Sequence, residues 1–408
     1  EIQRFCGREV ELILGPLKER EAQYKNDRFF TVCNYEQVLR DLSAVENVPW
    51  DLIVLDEAQR IKNWAAKTSR VIKGLRSPFA VALSGTPLEN RLDDLHSVVE
   101  FIDDRRLPPT FRFFQQHRVV NEKGRVLGYK NLGALRERLR PVLLRRTRGQ
   151  VMKELPPRST EVIRIAPTAE QQDLHDGQLR IVATIAKKAY ISEMDLLRLR
   201  KALLMCRMSA DSTFLVNKSP PGYSSKLEVL CDLLDRLLGE NDRKIVLFSE
   251  WTTMLDLIEK HLRQEKVAYV RLDGGVPQKQ RQQLVHRFQT EKDCRLFITT
   301  TAGSTGLNLQ AADTVINVDL PWNPAVLEQR IGRAHRMGQT RAVQVFVLVT
   351  ENTLEENLLA LLAAKSELAM AALDLDSSVD DVQVLTGIDE LSRRLEVLHG
   401  AQPEAPVD

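Results

Sequence analysis

Over the first hundred positions, short apolar runs alternate with amphipathic stretches. "VELILG" (10–15), "RFFTVCNY" (28–35), "DLIVLDEA" (51–58) and "FAVALSGTP" (79–87) read as buried strands. Between them, "YEQVLRDLSAV" (35–45) carries apolar residues at helical spacing. Alternating strand and helix implies a parallel sheet with helices on its faces. Functional residues then belong at the carboxyl ends of the strands. "DEAQ" (56–59) and "SGTP" (84–87) both fall at such ends.

The rhythm breaks at 103–222, which reads as mostly helical or irregular, with loop signals at "LPPT" (107–110), "ELPPRS" (154–159) and "KSPPGY" (218–223). It returns at "KLEVLCDLLDRLL" (226–238), a helical pattern. Strand patterns follow at "KIVLFSE" (244–250), "VAYVRLDG" (267–274), "RLFITTTAG" (295–303), "TVINVD" (314–319) and "AVQVFVLVT" (342–350), with helices at 251–264 and 277–289. "TLEENLLALLAAKSELAMAALDL" (353–375) predicts a long amphipathic helix before an acidic, weakly patterned tail. The expected fold class is α/β. Two parallel-sheet lobes, 1–102 and 223–352, flank a helical insertion and linker at 103–222, and a helix with its tail fills 353–408.

Composition changes this picture little. The 408 residues are 28% charged with a formal net charge of +2, which neither announces nor excludes a local basic groove. One local run is strongly basic, "LRERLRPVLLRRTRGQVMK" (135–153); it reads as a solvated helix face or as a phosphate-facing linker. The five cysteines are scattered with no C-x-x-C pair, so neither a zinc ribbon nor a disulfide framework is expected. No apolar run reaches the ~18–20 residues that span a membrane, and no membrane partner is expected.

The chemistry sits in a few strings. At the tip of a buried strand, Asp56 can hold magnesium, directly or through water, and Glu57 can orient the water that attacks a γ-phosphate. Taken alone, two acidic residues also fit a helix N-terminus. In "LSGTPLEN" (83–90), Ser84 and Thr86 offer hydroxyls beside a flexible Gly85, although a plain capped helix start reads the same way. "TTTAGSTGLNLQAAD" (299–313) ends a strand in small residues. There Gly303 and Gly306 suit close backbone approach to a phosphate chain, and Thr301, Ser304 and Thr305 could donate to phosphates without reading bases. "EQRIGRAHRMGQ" (328–339) spaces Arg330, Arg333 and Arg336 by three, which on a helix places them on roughly one face. Planar, permanently charged guanidinium groups suit phosphate neutralisation in a transition state.

Taken in order, "DEAQRIKN", "LSGTPLENRLDDLHSVVEF", "KIVLFSEWTTMLDLIEKHL", "TTTAGSTGLNLQAADTVINVDLPWNP" and "QRIGRAHRMGQ" closely resemble the Swi/Snf-type branch of superfamily 2 helicases. The resemblance covers nearly the whole chain, and "LPWNP" followed by "QRIGRAHRMGQ" is its most specific part. It implies two RecA-like lobes, the first incomplete, helical protrusions at 103–222 and a brace helix after 353. It implies an ATP-dependent double-stranded-DNA translocase that uses ATP and Mg2+ and grips DNA through phosphates with little sequence preference. The expected output is remodelling or displacement of DNA-bound proteins. The alternatives are a strand-separating DNA or RNA helicase of the same superfamily and a non-catalytic DNA-binding scaffold. The "DEAQ" form points towards a bacterial or archaeal member, hence a cytoplasmic, nucleoid-associated protein; a eukaryotic member would be nuclear.

Carried over residue by residue, Asp56 matches the magnesium-associated aspartate and Glu57 the catalytic base. Gln59 replaces the family's commoner histidine and should couple the nucleotide site to the facing lobe. Arg333 and Arg336 match the arginine fingers, with Arg330, Gln329 and Gly306 as nucleotide contacts. Ser84, Thr86, Asn90, Thr301, Ser304 and Asn308 fall in coupling and nucleic-acid-contact segments. Trp251 occupies the place of an aromatic near the DNA groove, or else packs in the core.

The sequence nowhere contains G-x-x-x-x-G-K-[ST]. The chain opens "EIQRFCG", without an initiator methionine, and that string resembles the end of the family's motif Ia. Family order then places the phosphate loop upstream of Glu1. The expectation is that these residues alone bind ATP poorly, hydrolyse it negligibly, and leave apolar edges open in the first lobe.

Overall fold

A computed structural model describes residues 2–383 apart from 64–65, 86–91, 122–125, 147–154, 187, 189–191, 241, 302, 304–305, 360–361, 363–372, 374–376 and 378. The chain forms two compact units. Unit 1 holds Glu1–Arg145 with Leu368–Gln383, and unit 2 holds Arg146–Glu367 with Val384–Asp408. The stretch read as one helical insertion is therefore divided, its first part belonging to unit 1 and its second to unit 2.

In unit 1, strands β1 (Val10–Leu12) and β2 (Phe30–Val32) pair in parallel, as do β3 (Leu52–Leu55) and β4 (Phe79–Ala82). All four fall where the apolar runs predict strands. The helical stretch at 35–45 forms two short helices, Tyr35–Arg40 and Leu42–Glu46, divided at Asp41. Asn34 and Gln37 form a capping box at the first of them. Asp41 is buried and receives both Arg20 Nε (2.7 Å) and Arg20 Nη2 (2.6 Å), a bidentate pair that closes this corner.

Alternation along β3 and β4 sends Ile53, Leu55 and Ala82 into a core shared with Ala58, Ile61, Ile72 and Val98. Their other face stays open: Val54 is 50% exposed and Phe79 70%. A hairpin absent from the sequence reading, β5 (Arg118–Val120) with β6 (Val126–Tyr129), gains a third antiparallel strand from Val382–Gln383.

Unit 2 is built on one six-stranded sheet. Its strands are β7 (Arg158–Ile165), β8 (Ile245–Phe248), β9 (Tyr269–Leu272), β10 (Leu296–Thr299), β11 (Thr314–Asn317) and β12 (Val343–Thr350), in the order β7-β12-β11-β8-β10-β9. Every pairing is parallel. Both faces are covered, as continuous apolar strands require. Val246 and Phe248 pack with Phe288 and Ile331 on one face; Ile245 and Leu247 pack with Leu230 and Leu255 on the other. Five of these strands fall where the sequence predicts them. The sixth, β7, lies in the region read as helical or irregular. Residues 354–359 are helical, and most of the rest of the stretch expected to form the brace helix lies outside the described residues.

Candidate active site

In unit 1, β3 delivers Asp56 and Glu57 at its carboxyl end, and both are exposed. Glu57 takes a left-handed backbone, φ 52° and ψ 52°. That conformation is uncommon for a residue with a side chain and costs about 1–2 kcal/mol. The strain is held in place by neighbours: the Ala58 amide donates to the Leu83 carbonyl (2.8 Å), and the Tyr35 hydroxyl donates to the Asp56 carbonyl (2.8 Å). Burial, together with the Asp56 and Glu57 carboxylates, pushes the Tyr35 phenol up to about 12 against the opposing pull of Arg60.

The side chains form a chain of their own. Ser84 Oγ donates to Gln59 Oε1 (2.7 Å), and Gln59 Nε2 donates to Glu57 Oε2 (2.5 Å). The strings "DEAQ" and "SGT", 25 residues apart, thus act on one carboxylate. Gln59 bridges Ser84 and Glu57. Thr86 and Asn90, the other residues expected on this loop, lie outside the described residues.

Asp56 Oδ1 accepts from the Glu57 amide at 3.0 Å. Among the described residues no cluster of three His, Cys, Asp or Glu side chains could hold a metal. A lone exposed carboxylate fits magnesium, which keeps most of its waters and takes substrate phosphates as ligands.

In unit 2, the carboxyl ends of β8, β10 and β11 gather the remaining residues. Asp319 accepts from Ser249 Oγ (2.6 Å) and the Glu250 amide (2.7 Å) through Oδ2, and from Arg330 Nη2 (3.2 Å) through Oδ1. Arg330 also donates to the Asp319 carbonyl (2.9 Å) and to Thr301 Oγ1 (2.9 Å), and pairs with Glu250 at 3.5 Å. Its side chain is fully buried. The expectation that Arg330 contacts nucleotide does not fit this burial: its guanidinium is engaged by the protein and braces the loops around it.

The common helical face expected for the three arginines is also absent. The helix Pro324–Ile331 ends at Gly332, and Arg333 and Arg336 follow in turns, both half-buried. Arg333 is tied to the small-residue loop, its carbonyl accepting from the Leu309 amide (2.9 Å) and its Nη1 donating to the Leu307 carbonyl (3.5 Å). Gln339 was not singled out by sequence reasoning. Its Nε2 donates to the carbonyls of Gln310 (3.0 Å), Ala312 (2.7 Å) and Ala334 (3.2 Å), locking that loop to the arginine turn. Gln329 is half-buried on the same helix.

The two glycines differ. A Cβ on Gly303 would meet the Leu272 carbonyl oxygen at 2.4 Å and Asp273 Cα at 2.9 Å, so this glycine serves packing against β9 rather than phosphate approach. Gly306 has φ +74° with open space where a Cβ would stand, and is exposed. Asn308 caps its own loop, with its Oδ1 accepting from the Gln310 amide (3.3 Å). Ser304 lies outside the described residues.

The aromatics also divide. Trp251 packs against the sheet core, and its buried indole nitrogen has no partner among the described residues. Trp322 of "LPWNP", not chosen from sequence, is 41% exposed.

Comparison with known proteins decides the family. A profile described as SNF2-related domain matches residues 1–212, just over half of the chain. The chain belongs to the SNF2-related family. A second profile, the helicase conserved C-terminal domain, matches 225–338 of this SNF2-family chain. It is 32% identical over 378 residues to the human SWI/SNF-related matrix-associated actin-dependent regulator of chromatin subfamily A member 1, covering 89% of this chain and 35% of that protein. It is 33% identical over 388 residues to the putative ATP-dependent helicase/translocase YwqA of Bacillus subtilis, covering 90% of this chain and 41% of that protein. The chain thus spans well under half the length of these curated relatives. The solved Sulfolobus solfataricus SWI2/SNF2 ATPase core in complex with dsDNA is 27% identical, with 93% of this chain and 79% of that chain covered and a TM-score of 0.47.

Proposed function

We propose that these residues form the water-activating and arginine-bearing parts of an ATP-dependent double-stranded-DNA translocase that remodels or displaces protein–DNA complexes. The observation that carries this reading is the Ser84–Gln59–Glu57 chain of hydrogen bonds at the end of β3. A carboxylate cap on a helix needs no such orienting partner. A general base does, because its free oxygen must face a water. Gln59 occupies Glu57 Oε2 and leaves Oε1 for that water.

In this reading Asp56 holds Mg2+ through water, and bound Mg2+ offsets charge on the phosphates of ATP. Arg333 and Arg336 neutralise charge that develops on the transferring group, a role with effects of about 10³–10⁵ in rate. Gly306 opens the backbone to the nucleotide, with Gln329 beside it. Ser84, Thr86 and Asn90 in the first lobe, and Thr301, Ser304 and Asn308 in the second, couple that site to DNA. Trp322 takes the aromatic place at the DNA surface that sequence reasoning gave to Trp251. Contacts run to phosphates and sugars, so sequence preference is small. The names of the relatives, a regulator of chromatin and a putative helicase/translocase, support protein–DNA complexes as substrate; in this reading the work is done at the nucleoid or in the nucleus.

The 408 residues contain no G-x-x-x-x-G-K-[ST], so turnover needs a phosphate-binding loop supplied with them. The test is phosphate release with and without duplex DNA. The full-length protein is expected to be DNA-stimulated, residues 1–408 alone to be nearly inactive, and Glu57→Gln to abolish turnover. Robust turnover by residues 1–408 alone, or by Glu57→Gln, sinks the assignment.

A further inference from the structure

The helix Glu193–Asp211 carries none of the family strings quoted above, yet it sends one side chain into the loops at the carboxyl edge of the unit 2 sheet. Arg207 is 4% exposed. Its Nη2 donates to Glu250 Oε2 (2.7 Å) and to the Leu320 carbonyl (2.6 Å). Its guanidinium carbon lies 5.4 Å from the Trp251 ring centroid and 5.2 Å from that of Trp322. Both rings are within the ~6 Å reach of cation–π attraction.

The two rings are held differently. Trp251 belongs to the packed core, while Trp322 is 41% exposed and sits in a loop. The carbonyl that Arg207 grips belongs to Leu320, two residues before Trp322. The other oxygen of Glu250 pairs with Arg330 (3.5 Å), which holds Asp319 and Thr301. One guanidinium therefore touches the exposed indole, the backbone that carries it, and the carboxylate shared with the arginine at the start of the "QRIGRAHRMGQ" turn.

We propose that Arg207 is a positioning residue that fixes Trp322 in its nucleic-acid-facing orientation and links contact there to the loops from which Arg333 and Arg336 emerge. This rests on the DNA-translocase reading. Lysine cannot replace it: a compact ammonium can keep the Glu250 pair but not the flat contact with two indoles and the carbonyl together.

The test uses the full-length protein as wild type, Arg207→Met and Arg207→Lys. Acrylamide quenching of Trp322, assigned by difference with Trp322→Phe, reports its placement. The ratio of duplex-DNA-stimulated to unstimulated phosphate release reports coupling. Both variants are expected to raise the quenching constant of Trp322 and to lower the stimulation ratio by about 30-fold, the scale of a desolvated cation–π contact. Arg207→Lys, which keeps the Glu250 pair, is expected to melt close to wild type while still losing coupling, which a merely structural role would not produce. If Arg207→Met fails to fold, Arg207→Lys decides. Unchanged Trp322 quenching in the folded variants overturns the proposal however hydrolysis behaves. A wild type that duplex DNA does not stimulate sinks instead the translocase reading beneath it.

Discussion

Lys226 is a fully buried charge in unit 2. It is 0% exposed, and its Nζ lies 2.6 Å from Asp211 Oδ1 and 2.6 and 2.8 Å from the two oxygens of Glu355. The three residues tie the start of helix Ser225–Gly239 to the end of helix Glu193–Asp211 and to the segment after β12. Lys226→Met keeps the volume but strands two carboxylates in a dry interior. Among the described residues the Glu355 carboxylate then retains the Thr350 amide at 2.8 Å. Breaking a buried pair from one side costs about 3–5 kcal/mol. Burial pushes the Asp211 carboxyl up and Lys226 opposes that push, so without Lys226 the carboxyl can take up a proton, and the lower end of that range, about 3 kcal/mol, is expected.

The assay is urea unfolding followed by tryptophan fluorescence in a Trp50→Phe/Trp64→Phe background, which leaves Trp251 and Trp322 to report unit 2. With a slope of about 3 kcal/mol/M, the midpoint should fall by about 1 M. The triple change Lys226→Met/Asp211→Asn/Glu355→Gln should recover most of the loss, because no lone charge remains. A midpoint that moves by less than about 0.3 M in Lys226→Met refutes the reasoning.

His175 is buried, and burial holds its pKa below 6.5; its Nε2 accepts the Leu354 amide at 3.0 Å. The unfolded chain protonates first, so stability present above about 6.5 is lost as pH falls; urea midpoints at pH 7.5 and 5.5 should show this, and His175→Gln should flatten the difference. Gly303→Ala forces a Cβ against the Leu272 carbonyl and should cost about 1–3 kcal/mol or more in the same assay. Gly306→Ala meets open space and should cost only the left-handed strain, about 1–2 kcal/mol; equal effects at the two glycines would contradict the packing account. Arg333→Ala should cut full-length turnover by about 10³ or more with little change in melting, whereas Arg330→Ala should lower both; a stable, inactive Arg330→Ala would return that residue to the nucleotide.

The second lobe was readable because its strands are continuous apolar runs, such as Ile245–Phe248 and Leu296–Thr299, buried on both faces. β7 was not readable, because an edge strand of sequence RSTEVIRI turns most of its side chains to solvent and presents no apolar run. The candidate carboxylates were legible from their place after a strand, but the left-handed backbone of Glu57 leaves no mark in sequence. Arginines spaced by three looked helical, yet Gly332 ends the helix before two of them, and only tertiary contacts reveal that Arg330 turns inward. Lys226 reads as an ordinary polar position of an amphipathic helix, since its two partners are distant in sequence. Trp251 was left open between the DNA groove and the core, because spacing alone does not determine which way a ring turns; the structure packs it against the sheet core.

The central claim is that Glu57, oriented by Gln59 and Ser84, activates water for a DNA-driven ATPase. Its most direct test is steady-state phosphate release by the full-length protein, wild type against Glu57→Gln, with saturating ATP and duplex DNA. The account predicts DNA-stimulated release in wild type and a loss of several orders of magnitude in Glu57→Gln while ATP still binds. Wild-type rates in Glu57→Gln would contradict it.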